Sequence, residues 1–109
     1  MADSVNRAVQ NVAASSTDAN LVSAVSGFKI KVVAVYGKTG GTATNVTFNS
    51  KGSGSGTAIS PLIATAINGE VNMQYNPTGW FATNSSEGLT VTTGSGSTVG
   101  LMVVYTLDT

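Results

Sequence analysis

The chain has 109 residues, no histidine, no cysteine, and five basic residues balanced by five acidic ones; charged residues make up 9% of it, against about a quarter in ordinary soluble domains. Without imidazole or thiol, acid–base work, nucleophilic attack and transition-metal ligation fall to isolated carboxylates and bare hydroxyls, so the composition argues for a structural or binding role, without catalytic residues, metal or cofactor. Zero net charge supplies no field to draw in nucleic acid or an anionic membrane, and it favours association over mutual repulsion.

The length suits one domain. No apolar run approaches the ~20 residues of a membrane helix, and no basic start with an apolar stretch opens the chain, so neither a membrane span nor signal-peptide export is expected. Stability has to come from packing, sheet hydrogen bonds and oligomerisation, because no disulfide can form.

In chain order, residues 1–10 lack the punctuation of a β domain and are expected to form an N-terminal arm ordered against a partner, leaving 11–109 as the domain. Val5, Ala8, Val9 and Val12 stand at helical spacing, while Asn11 to Ser15 also reads as a short strand closed by a turn at Ser16-Thr17-Asp18. Val5, Val9 and Val12, with Trp80 and Phe81 further along the chain, are the candidate partner contacts. From Leu21 onward, short runs of Val, Ile, Thr and aromatics are cut by Gly, Ser and Asn clusters about every ten residues, the pattern of an all-β chain.

Phe28, Ile30 and Val32 share one face, with Lys29 and Lys31 on the other, before the run turns wholly apolar through Val35. Val46 and Phe48 point inward from the Ala43 to Ser50 run. Thr57 to Ala66 is strand-like, with Pro61 marking an edge or bulge. Asn68-Gly69 is a hairpin signal of the type that needs positive φ at both residues. Val71, Met73 and Tyr75 alternate with Asn72 and Gln74; Leu89 to Thr93 and Val99 to Leu107 complete the strands, joined through Gly94 to Ser97. Ile30, Phe48, Trp80, Leu101, Val103 and Tyr105 are the expected core. Trp80-Phe81 is a tandem aromatic pair whose members point to opposite faces of a strand, so one can enter the core while the other serves an interface or a sugar platform.

Several motifs carry no chemistry. Gly37-Lys38-Thr39 ends like a phosphate-binding loop, but Val32 stands where the first glycine belongs and a polar β run follows in place of a helix. Gly52 to Gly56 reads as a mobile hairpin tip. Asp3, Asp18, Glu70, Glu87 and Asp108 are scattered, Glu70 and Glu87 beside turns, and no calcium-loop pattern occurs. Asn45-Val46-Thr47 and Asn84-Ser85-Ser86 match glycosylation sequons, as Thr/Asn-rich chains do by chance.

Asn11 to Ala19, Phe28 to Tyr36, Asn76-Pro77-Thr78-Gly79-Trp80-Phe81 and Glu87-Gly88-Leu89-Thr90-Val91-Thr92-Thr93-Gly94 together resemble the small tailed-phage capsid decoration (cement) proteins, over Asn11 to Leu107. Many short strands without helices predict an all-β, antiparallel sandwich of about eight strands; the resemblance sharpens this to a jelly-roll-like β-sandwich that forms a homotrimer. It implies a virion protein, made in the host cytoplasm, that sits on the capsid exterior and ties neighbouring major capsid subunits together. The alternative is a carbohydrate- or receptor-binding module of a virion fibre or tail, drawing its polar groups from Asn72, Gln74, Asn76 and Asn84.

Overall fold

The structure is a computed structural model that describes residues 5–109. Ten strands run β1 Asn6–Val12, β2 Ala19–Val22, β3 Lys29–Thr39, β4 Thr44–Lys51, β5 Thr57–Ala58, β6 Ile63–Thr65, β7 Glu70–Met73, β8 Phe81–Ala82, β9 Gly88–Thr93 and β10 Val99–Asp108. They form two antiparallel sheets: sheet A in the order β1-β10-β3, with β7 and β8 both paired to β3, and sheet B in the order β2-β9-β4, with β5 and β6 both paired to β4. The β5/β6 pair occupies one strand position broken around Pro61, and β7/β8 another, broken by the 74–80 loop. Eight positions in this crossing order are the two interleaved Greek keys of a jelly roll, as expected.

Two connections differ from the sequence reading. Asn68-Gly69 links β6 in sheet B to β7 in sheet A, so it is an arch between sheets and not a hairpin. Only Asn68 has positive φ, at 54°; Asn68 N–H donates to Gly40 O, and Gly69 O accepts from Thr39 N–H, each at 2.9 Å. The Gly94 to Ser97 connection likewise crosses from β9 in sheet B to β10 in sheet A.

The N-terminal arm is a second correction. Residues 1–4 lie outside the described residues, but Asn6 to Val12 pair in register with Tyr105 to Val99 as the edge strand of sheet A. An edge strand needs a partner on one side only, which is why its sequence lacks the continuous apolar character of β3. Val12 is accordingly not a surface contact: it faces Val99, is 2% exposed and belongs to the core.

Inward residues from the two sheets make one core, with Ile30, Val32, Val35, Val71, Val99, Leu101 and Val103 from sheet A against Leu21, Val22, Val46, Phe48, Leu89 and Val91 from sheet B. The wholly apolar stretch of β3 has a local cause. Val104 faces Ala34 while Tyr105 faces Val32, so Val33 is the extra residue of a bulge and the inward phase passes from Ile30 and Val32 to Val35. Ile30, Phe48, Leu101 and Val103 are buried as expected, and Tyr105 is partly buried against the core. Trp80 is not: it is 48% exposed. The next residue takes the inward phase, and Phe81 packs on Phe48 with ring centroids 5.1 Å apart. Threonines close the interior where strands run out: the Thr39 hydroxyl donates to Thr65 Oγ1 at 2.6 Å across the two sheets, and Thr65 donates to Thr44 O at 3.0 Å.

Asp18, with φ 51°, ties loops to the outside of sheet B. Its carboxylate accepts from Gly56 N–H (3.0 Å), Thr90 Oγ1 (2.9 Å) and Asn49 Nδ2 (3.1 Å). The Gly56 amide above all, with Thr90, Asn49 and the charge of Lys51, holds the carboxyl below its ordinary 3.8 against the opposing pull of partial burial. A lowered carboxyl stabilises the fold above pH 3.8, and that contribution is lost as pH falls through the folded value. Asp18→Asn should cost about 1 kcal/mol at neutral pH, discounted for solvent screening. Urea titrations of both proteins should converge as pH drops below 3.8; a difference that persists unchanged would mean that the charge plays no part.

Candidate functional site

The two outer faces of the sandwich differ in character. On sheet B, Asn20 faces Thr90, Thr90 faces Asn49, and Thr92 faces Thr47, a neutral polar surface stitched by its own bonds, such as Asn49 Nδ2 to Thr92 Oγ1 at 2.9 Å. Sheet A presents a central apolar row instead, with Arg7, Lys29, Lys31 and Lys38 in the outward phase around it. Val9 faces Met102, Met102 faces Tyr36, and Tyr36 faces Asn72, so one row crosses β1, β10, β3 and β7. The next row sets Arg7 against Val104 and Val104 against Ala34.

Val9 is 67% exposed and Tyr36 42%. Beside this row Gly100 stands between Asn11 and Lys38 and contributes no side chain, which leaves a shallow depression of about 400 Å³ bordered by Val9, Tyr36 and Met102. Lys38 leans toward the sheet end, its Nζ 3.4 Å from Asn68 O. Covering such a row would exclude water from its apolar groups, a contact that salt screens little, while Arg7 and Lys38 stand beside it.

The predicted contact residues do not form one site. Val5, 58% exposed, immediately precedes β1 and Val9 lies on it, at one edge of sheet A. Trp80 stands at the opposite edge, beyond β3, and Phe81 is an interior residue, a correction that follows from strand alternation. Sequence reasoning missed Tyr36, Met102 and Val104. Their signal was present in part: Ala34 and Tyr36 in β3, and Met102 and Val104 in β10, put apolar residues in the outward phase as well, which in an antiparallel sandwich marks a non-polar patch on the outer side.

Among the described residues no three carboxylates gather where a metal could be held. Glu87 is engaged locally, accepting from Ser50 Oγ at 2.6 Å and Asn84 Nδ2 at 3.3 Å. Comparison with family models, curated proteins and solved structures gave no match.

Proposed function

We propose that this chain is a structural virion protein, a homotrimeric decoration protein that docks through the outer face of sheet A onto the exterior of an assembled phage capsid and bridges major capsid subunits. The observation that carries the reading is the outward row of exposed Val9, half-buried Met102 and exposed Tyr36 on a chain that is poor in charge. A trimer presents three such faces, so contacts of modest strength add through effective concentration. Binding only the assembled lattice stabilises that lattice by mass action, and no chemical step is needed. The sequence resemblance supplies the capsid as the lattice.

Light scattering should give a trimer mass that low and high salt leave unchanged, and the protein should cosediment with empty heads of the phage that encodes it. Met102→Glu, which puts a charge at the centre of the row, should keep the trimer and the melt while cutting head retention at least about tenfold, the effect of ~1.4 kcal/mol. A monomeric wild type, or full retention of the variant, would overturn the reading. Loss of the trimer in Met102→Glu would instead assign the face to contacts between copies.

A further inference from the structure

We infer that the 74–80 loop is a binding platform for a neutral polysaccharide chain, with the faces of Trp80 and Tyr75 as its floor. This site lies across β3 from the β1 edge and does not rest on the docking face of sheet A.

Both rings are open to solvent, Tyr75 at 63% and Trp80 at 48%, yet the loop that carries them is pinned. Asn76 N–H donates to Val33 O and Trp80 N–H to Val32 O, each at 2.8 Å, so both ends of the loop are fastened to β3. Within it, Gly79 N–H donates to Asn76 O at 2.9 Å, and Asn76 Oδ1 accepts from Thr78 N–H at 3.0 Å. Gly79 takes φ 94°, and the Lys31 Cγ stands 2.6 Å from where a Cβ would project. The indole itself is anchored, its Nε1–H donating to Gln74 O at 2.8 Å. An exposed ring whose only polar atom is already bonded within the chain is left with its apolar π-faces to offer. Holding it in advance removes the ordering cost of binding.

The surroundings select the ligand. From Val71 to Ser86 there is no charged residue. The cation beneath the loop, Lys31, is spent on Asp108 at 3.3 Å. An anionic ligand therefore finds no free counter-charge from this segment, while Gln74, exposed at the start of the loop, offers an amide that donates and accepts. A pyranose ring fits that combination. Its faces carry C–H groups with partial positive charge that meet the negative face of an indole, and its rim carries hydroxyls that need neutral donors and acceptors. A protein partner would need on the order of 800 Å² of its own surface covered, and here Asn76, Pro77 and Thr78 place small or polar groups around two isolated rings.

Trp80 is the sole tryptophan, so its fluorescence reports on this platform alone. Cellopentaose, maltopentaose, mannopentaose and chitopentaose are titrated into the native protein. At least one should shift the emission to the blue and protect the indole from acrylamide, saturably and with no change when salt is raised. Tyr75→Ala should weaken that response, and Trp80→Ala, followed by calorimetry, should weaken binding about tenfold or more, with Trp80→Phe restoring it. Because both rings are exposed, the variants should melt with the wild type; if Trp80→Ala does not, Tyr75→Ala decides the matter. No response to any of the four sugars overturns the inference, as does equal binding by the variants. A blue shift that grows with protein concentration and without sugar also overturns it, assigning Trp80 to contact between copies. Head cosedimentation reads different residues, so either proposal can fail alone.

Discussion

Phe48→Ala should destabilise each subunit by about 3 to 5 kcal/mol, the range for removing a buried aromatic ring. Phe48 is fully buried at the centre of β4. It faces Val91 across the β4–β9 pair and stacks on Phe81, which reaches it from sheet A, so its ring is one of the groups that hold the two sheets together. Truncation opens a void between sheets whose positions are held by their own ladders, and relaxation can fill little of it. For a domain of this size the melting temperature should fall by about 4 to 8 °C for each kcal/mol. A change below ~0.5 kcal/mol, typical of surface substitutions, would mean that the sheets are not packed through Phe48.

Leu101→Ala should cost about 2 to 5 kcal/mol, and Gly37→Ala alone about 1 to 3 kcal/mol from overpacking. The two positions face each other in the β10–β3 register. Leu101, 2% exposed, places its Cδ2 methyl 2.5 Å from the point where a Cβ on residue 37 would lie, and Gly100 O is 3.1 Å from that point. The glycine is thus the notch that admits the leucine, and added bulk has nowhere to go. Removing the leucine methyls makes room, so Gly37→Ala should cost less in the Leu101→Ala background than alone. The double-mutant cycle by urea unfolding should give a favourable coupling of about 0.5 kcal/mol or more. Strict additivity would show that the methyl does not occupy the notch.

Much of the sandwich was legible along the chain because strand alternation is a local property. Ile30, Phe48, Leu101 and Val103 are inward in their own runs, and each is buried. The Gly/Ser/Asn punctuation between short runs of Val, Ile and Thr is also a feature of the chain alone, and it points to the all-β fold. Pro61 falls where β5 gives way to β6, outside the strand ladders, as its missing N–H requires.

Tertiary structure decided what depends on partners distant in sequence. Whether residues 6–12 form an arm or an edge strand turns on the free side of β10, more than 85 residues away along the chain in the pairing of Val12 with Val99. The bulge at Val33 is set by how β10 meets β3, and it alone fixes which half of an all-apolar run faces inward. Trp80 and Phe81 are equally apolar neighbours; the position of Phe48 determines that Phe81 enters the core and Trp80 stays outside. The outward apolar row itself exists only in the assembled sheet, since Val9, Tyr36 and Met102 come from three strands and meet through register. Composition and period are written residue by residue, whereas a surface is a relation between strands, and only the sheet's hydrogen-bond register brings those residues side by side.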